Sequence, residues 1–129
     1  MCGIVGLMDL RGKRPVDGSL LQRMNQTQFH RGPDGEGAYL KPGIGLAHRR
    51  LAIIDLQGGA QPMSTPDGQV TVTYNGEIYN FQELRRELEA QGYTFHTHCD
   101  TEVILYAWLA WGEACVKRFR GIFAFGLWD

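Results

Sequence analysis

Several features that direct a chain to a membrane or to nucleic acid are missing from this sequence. No apolar run approaches the roughly 18 residues of a transmembrane helix. A signal peptide is not predicted, because Asp9 and Arg11 follow a short apolar stretch that has no charged leader. Charge of one sign is lacking too, since 13 Lys and Arg oppose 14 Asp and Glu. We therefore expect no membrane and no nucleic acid among the partners.

Cysteines are few, and the common cofactor motifs are absent. Cys2, Cys99 and Cys115 are odd in number and scattered, which argues against a disulfide framework and favours a cytoplasmic location. Neither GxGxxG nor the Walker pattern occurs, so no nucleotide site is predicted. The cluster His96–Asp100 raises a metal alternative, but no second Cys/His pair stands at a zinc spacing. We expect no metal and no cofactor in this chain.

Glycine, in contrast, is abundant. There are 17 glycines among 129 residues, about twice the usual share, and they are not periodic. The length fits one domain with a substantial core. Strands are predicted at both ends and helices between them, which indicates an α+β fold. The predicted strands are 2–10, 38–41, 44–48, 69–74 and 122–128, and the period of two in 69–74 predicts a half-buried strand. The predicted helices are 17–29, 80–91, 100–111 and 113–119. Asn80 and Glu83 are spaced as a capping box at the start of the second helix.

Cys2 is the first candidate for chemistry. Removal of Met1 would leave the thiol and a free α-amine on the same residue. An α-amine titrates near pH 7.7–8.0, so it is able to accept the thiol proton directly or through one water. The alternative is that Cys2 is a small, buried strand residue.

The Asn75-Gly76 pair is the second candidate. Asn75 carries an amide donor and Gly76 lets a backbone N–H approach a reacting carbon, as an oxyanion hole requires. The alternative is an Asn-Gly hairpin turn. We expect helical rather than extended structure after the pair, which weakens that alternative.

Two charged residues complete the set. The guanidinium group of Arg49 or Arg50 is able to bind a carboxylate through two hydrogen bonds. Asp100 is able to bind an ammonium group, although an aspartate at this position is also a natural helix N-cap. One arginine, one carboxylate and an amide-directed nucleophile match a free amino acid with an amide side chain, such as glutamine.

Six ordered motifs give the sequence a family resemblance. It resembles the class II glutamine amidotransferase domain of glutamine-hydrolysing asparagine synthetases through Met1–Gly6, His30–Asp34, Arg50–Asp55, Tyr74–Asn80, Asp100–Val103 and Phe123–Asp129. The resemblance covers essentially the whole chain, residues 1–129. It implies a four-layer αββα N-terminal-nucleophile hydrolase fold, in which two stacked antiparallel sheets lie between helical layers.

The same resemblance implies roles for individual residues. Cys2 corresponds to the nucleophile, and Asn75 and Gly76 to the oxyanion donors. Arg50, rather than Arg49, corresponds to the carboxylate clamp because it directly precedes Leu51. The remaining glutamine contacts correspond to Leu51, Ile53, Ile54, Glu77 and Asp100. The implied reaction releases ammonia and then glutamate through a γ-glutamyl thioester.

Two departures from the family pattern affect these expectations. Cys99 stands where relatives commonly carry Ser or Gly, which adds a thiol beside the expected pocket. The family's domain also continues beyond the last motif and is followed by a synthetase domain that uses ATP and Mg. We therefore expect a truncated glutaminase domain whose partners are L-glutamine and the missing synthetase domain, with a homodimer left open.

Three alternatives remain at this point. The chain is a non-catalytic fragment or interaction module, an amidotransferase whose acceptor is not aspartate, or an amide hydrolase for another substrate. Arg50 and Asp100 argue against the last, because only a free amino acid requires both charges to be recognised.

Overall fold

The fold consists of two small sheets and the helices that cover them. A computed structural model of the chain describes residues 1–12, 14–52 and 58–129. Within these ranges the strands are β1 (Gly3–Met8), β2 (Gly35–Lys41), β3 (Ile44–Arg50), β4 (Met63–Ser64), β5 (Thr71–Ile78) and β6 (Gly121–Trp128). The α-helices are α1 (Gly18–Gln26), α2 (Phe81–Ala90) and α3 (Asp100–Trp111).

The sheets are antiparallel and stack face to face. The first has the strand order β1-β3-β2 and the second β4-β5-β6. Hydrogen bonds join them, since the Thr73 hydroxyl donates to the Ala47 carbonyl at 3.1 Å. Helix α1 covers the first sheet through Leu21, and α3 covers β5 of the second. This arrangement confirms the predicted α+β class with two sheets between helical layers.

Strand β5 differs from its prediction in both burial and length. The alternation of Thr and Val predicts a half-buried strand, but Thr71, Val72, Thr73 and Tyr74 are all buried. The first sheet lies on one face of β5 and α3 on the other, so its polar positions are covered as well. The threonine hydroxyls are satisfied inside, for example by the 2.8 Å bond between Ser64 and Thr71. The strand also continues to Ile78 instead of giving way to helix.

The end of α1 and the N-terminal cap of α2 differ from the prediction. Helix α1 starts as expected, with the Asp17 carboxylate accepting from the Leu20 amide at 3.1 Å, but it ends at Gln26 instead of Phe29. Asn80 precedes α2 without forming the predicted capping box. Its amide instead donates to the Arg118 carbonyl and accepts from the Arg120 amide, at 3.0 and 2.9 Å. A side chain recruited by a distant segment is not available to its own helix.

The third helix has the predicted bounds and is followed by the expected short helix. Helix α3 runs from Asp100 to Trp111, and its first eight residues are buried because neighbours cover it on several sides. The predicted helix near 113–119 is a 3₁₀ helix over Gly112–Arg118. No helix in the described ranges is both long enough and apolar enough to span a bilayer.

A buried histidine lies between the two sheets. His48 on β3 donates from Nε2 to the Tyr74 carbonyl at 3.0 Å, because a carbonyl oxygen only accepts. Its Nδ1 is buried and has no partner among the described residues. Burial, which disfavours the imidazolium, lowers the pKa of His48 from 6.5 to about 4, and the charge of Arg50 acts in the same direction. The folded protein therefore holds this ring neutral at physiological pH.

We predict that His48 makes the fold acid-sensitive. Below pH 6.5 the unfolded chain takes up a proton that the native state does not accept until about pH 4. The free energy of unfolding therefore decreases as the pH is lowered through this window. The contribution of His48 to the decrease is about 2 kcal/mol between pH 7.5 and pH 5. Urea denaturation at the two pH values measures the change.

His48→Gln keeps an amide donor near the Nε2 position and removes the titration, so its stability should vary less with pH than that of the parent. His30→Gln, at an exposed position, serves as the control and should retain the parent's dependence. The same pH dependence in His48→Gln and the parent would contradict the assignment.

Candidate active site

The predicted site residues converge on one cavity of about 280 Å³ between the ends of the sheets and the start of α3. All of the predicted residues in the described ranges line it, namely Cys2, Arg50, Leu51, Asn75, Gly76, Glu77 and Asp100. Ile53 and Ile54 were also predicted, but they lie outside the described residues. The remaining lining residues are Met1, Gly59, Gln61, Tyr74, Tyr79, Cys99, Thr101 and Ile122.

Cys2 lies immediately before β1, opposite the end of β3. The Leu51 amide donates to its sulfur at 3.3 Å, and the thiol lies 3.6 Å from the Leu51 carbonyl. The Arg31 guanidinium fixes the adjoining backbone by donating to the Cys2 carbonyl at 3.1 Å. The sulfur is partly exposed to the cavity. The Leu51 backbone therefore contacts the sulfur through both its N–H and its carbonyl oxygen.

The Asn75-Gly76 pair lies within β5, and the hairpin alternative is wrong. The two residues pair with Ala124 and Phe123 of β6. At Gly76 φ is +150°, and a Cβ there would lie 2.3 Å from the Ile122 oxygen and 2.5 Å from the Phe123 Cα. Glycine is therefore required by the close approach of β6, a reason that the sequence does not reveal.

The Asn75 side chain contributes an unsatisfied buried atom to the cavity lining. Its Oδ1 is buried and accepts no hydrogen bond from any described residue. An unpaired buried amide oxygen costs free energy unless a ligand supplies the partner. Because the two ends of an amide are interchangeable in assignment, the group offers either a donor or an acceptor to a bound carboxamide.

The two adjacent arginines have different surroundings. Arg49 is buried, donates to the Gly32 carbonyl at 3.1 Å and pairs with Glu36 at 2.6 Å. It also stacks over the Phe29 ring. Successive strand residues face opposite sides, so Arg50 lines the cavity instead. These contacts favour Arg50 over Arg49 as the carboxylate ligand.

Asp100 joins α3 to β5 at the cavity wall. It is the first residue of the helix, while Cys99 occupies the N-cap position, so the N-cap reading of Asp100 is wrong. Its Oδ2 accepts from the Tyr74 hydroxyl at 2.5 Å and from the Ile78 amide at 3.0 Å. Burial, followed by the bond to this carboxylate, raises the pKa of Tyr74 far above its usual value. The hydroxyl therefore remains a protonated donor.

Two lining residues, Gln61 and Tyr74, escaped the sequence reasoning. Gln61 accepts from the Tyr74 amide at 2.6 Å and donates to the Thr101 hydroxyl at 3.3 Å, so it joins β5 to α3. The available signal was the unusually long connection before β5, because such loops are often functional. Tyr74 was assigned to a strand and to the Tyr74–Asn80 motif but was given no role in the site, although its hydroxyl contacts Asp100.

The segment before α3 is held by hydrogen bonds to Glu102. Glu102 accepts from the His96 and Thr97 amides at 2.9 and 2.8 Å and from the Thr97 hydroxyl at 2.7 Å. Cys99 is buried, lines the cavity and lies 3.0 Å from the Thr97 hydroxyl. Across the described ranges, no group of three or more His, Cys, Asp or Glu side chains is arranged to hold a metal ion.

Two stacked antiparallel sheets between helical layers are the architecture of the N-terminal-nucleophile hydrolase fold. A solved structure with this fold is glutamine phosphoribosylpyrophosphate amidotransferase from Bacillus subtilis, in complex with ADP and GMP. It matches with a TM-score of 0.75 and 19% identity over 96% of this chain and 34% of that one. The sequence settles the family, since the glutamine amidotransferase domain model matches residues 1–129. The chain belongs to this family.

Curated relatives are similar to the chain over its whole length. Asparagine synthetase [glutamine-hydrolyzing] 1 from Bacillus subtilis is 44% identical over 134 residues, which cover 100% of this chain and 21% of the relative. The asparagine synthetase of Brassica oleracea is 42% identical, with 100% and 22% covered. The chain thus spans about a fifth of the length of these relatives.

We predict that Gly76→Ala destabilises the fold by more than backbone strain alone. The added methyl group would clash with the β6 backbone, and the alanine would have to adopt a positive φ. The clash and the backbone strain together lower the free energy of unfolding by about 2–5 kcal/mol. Gly92→Ala is a matched control, since its φ is +98° and no described atom lies within 4 Å of the new Cβ. Equal losses of unfolding free energy in urea would contradict the packing argument.

Proposed function

We propose that this chain is a glutaminase domain, which hydrolyses L-glutamine to glutamate and ammonia. The observation that carries the proposal is the composition of one cavity, where the Cys2 thiol lies with Asn75, Gly76, Arg50 and Asp100. Family membership supports the same activity. A nucleophile, amide-recognising donors and two opposite charges are what a free amino acid with a side-chain amide requires.

Recognition of the substrate divides between the two charged residues. The Arg50 guanidinium binds the α-carboxylate through two parallel hydrogen bonds, and Asp100 binds the α-ammonium group. Glu77, exposed at the cavity rim, adds negative charge on the ammonium side. The contacts predicted for Leu51, Ile53 and Ile54 belong to the same proposal.

The chemistry starts once Met1 has been removed. The α-amine of Cys2 takes the thiol proton, and the sulfur attacks the side-chain carbonyl carbon of glutamine. Asn75 and the Gly76 N–H donate to the oxyanion. The protonated α-amine of Cys2 then gives this proton to the departing nitrogen of the substrate. Ammonia leaves, and a γ-glutamyl thioester remains on Cys2. Water then attacks the thioester, so that glutamate leaves and the thiol is restored.

We propose that the ammonia is consumed by another domain of a longer protein. The asparagine synthetases are about five times as long as this chain, so residues 1–129 correspond to one domain of such an enzyme. We propose that a synthetase domain uses ATP and Mg to amidate aspartate with this ammonia in the cytoplasm. A homodimer and an acceptor other than aspartate are open alternatives.

We predict that ammonia release depends on Cys2 and on Met1 removal. Wild-type protein should release ammonia from L-glutamine, and Cys2→Ala should lose nearly all of that activity because no other group attacks the amide. Intact mass should correspond to a chain that begins at Cys2, and a glutamine-like electrophile should label that residue.

Three results test the assignment. Equal slow release from wild type and Cys2→Ala would favour a non-catalytic fragment. Labelling at Cys99 or Cys115 instead of Cys2 would refute the assigned nucleophile. Retained Met1 in an active protein would exclude the α-amine as the base.

We further predict that Arg50→Lys raises KM for L-glutamine about tenfold or more, with a smaller effect on kcat. Lysine keeps the charge but loses the two-pronged contact, and a hydrogen bond to a charged group is worth about 1.5–3 kcal/mol. Arg23→Lys, at an exposed position of α1, is the matched control. Steady-state kinetics distinguish the outcomes, and an unchanged KM in Arg50→Lys would remove Arg50 from the carboxylate site.

A further inference from the structure

Two hydrogen bonds from β5 restrict the orientation of the Asp100 carboxylate. Oδ2 already accepts from the Tyr74 hydroxyl and the Ile78 amide. These two donors come from one strand and hold the carboxylate plane in a single orientation. Asp100 is 7% exposed and lines the cavity that also contains Cys2. A ligand in this cavity therefore meets a carboxylate of fixed direction.

The Tyr74 hydroxyl is one of the two donors that set this direction, and it is the one supplied by a side chain. A carboxylate only accepts, so the hydroxyl must donate to it. The ring is 3% exposed and lines the same cavity.

Tyr74 itself is held on both sides of its backbone. Its amide donates to Gln61 Oε1 at 2.6 Å, and its carbonyl accepts from His48 Nε2 at 3.0 Å. Gln61 also contacts Thr101, the residue after Asp100. Besides the bond from Ile78 to Asp100, strand and helix are thus connected directly through Tyr74 and Asp100 and, by way of Gln61, through Tyr74 and Thr101.

We infer that Tyr74 is a positioning residue, which orients the Asp100 carboxylate toward the free α-ammonium group of the substrate and makes the site select substrates that carry one. The inference rests on the proposed function and adds a specificity determinant to it. Tyr74 does not touch the amide that reacts. Loss of its hydroxyl therefore weakens recognition of the ammonium group and leaves attack by Cys2 unaffected.

The test compares two substrates that differ only at the ammonium group. Glutaramic acid has the carboxylate and carboxamide of glutamine but no α-amine. Tyr74→Phe should raise KM for L-glutamine about tenfold and change kcat less than about twofold, by the loss of one hydrogen bond to a charged group. The kcat/KM for glutaramic acid should stay at the parent value, so the preference for L-glutamine falls about tenfold.

Two variants support the reading. Tyr106→Phe removes the hydroxyl of another buried tyrosine, which packs against Phe95 and does not line the cavity. It should retain the parent's preference. Gln61→Met, which keeps length but breaks both bonds of Gln61, should lower the preference in the same direction as Tyr74→Phe. If Tyr74→Phe does not fold, the preference of Gln61→Met decides the question.

Equal losses with both substrates would overturn the inference, because a merely structural role affects them alike, and so would an unchanged preference. Binding measured by calorimetry in a Cys2→Ala background separates this result from failure of the proposed function. There, a preference for L-glutamine that Tyr74→Phe abolishes supports the inference even without turnover. Absence of any preference in the Cys2→Ala parent overturns it.

Discussion

Strand β5 lies against the first sheet on one face and against α3 on the other, and hydrogen bonds close both contacts. Thr73 and Tyr74 bond to Ala47 and His48 on the sheet side. Tyr74 and Ile78 bond to Asp100 on the helix side. Because an unpaired polar group is costly in such a place, these bonds fix the registers of three layers at once.

The candidate site follows from this arrangement. Asn75 and Gly76 belong to β5, Asp100 is attached to β5, and Arg50 and Leu51 lie at the end of the strand that stacks on it. The Leu51 amide then places the sulfur of Cys2. The groups proposed to bind and cleave glutamine are therefore held by rigid strands and a helix terminus, which is how a site keeps its geometry before the substrate arrives.

Residue type and order in the sequence were enough to anticipate which side chains lie together. They identified Cys2, Asn75, Gly76, Arg50 and Asp100 as a set, and the structure brings them to one cavity. They failed where burial or a distant partner decides conformation. Threonines alternating with valines resemble a half-exposed strand, yet β5 is covered on both faces. Asn80 has the sequence of a capping box, yet its amide is bonded to Arg118 and Arg120.

The sequence alone determined the family and which reactive side chains are present, because a cysteine at the second position and ordered polar motifs are local properties. Only the tertiary structure decided how those groups are held. Gly76 is glycine because β6 approaches it, Arg49 is bound by Glu36 and Gly32, and Asp100 is hydrogen-bonded to Tyr74 at the cavity wall. Each of these depends on contacts between residues far apart in the chain, and no local pattern encodes them.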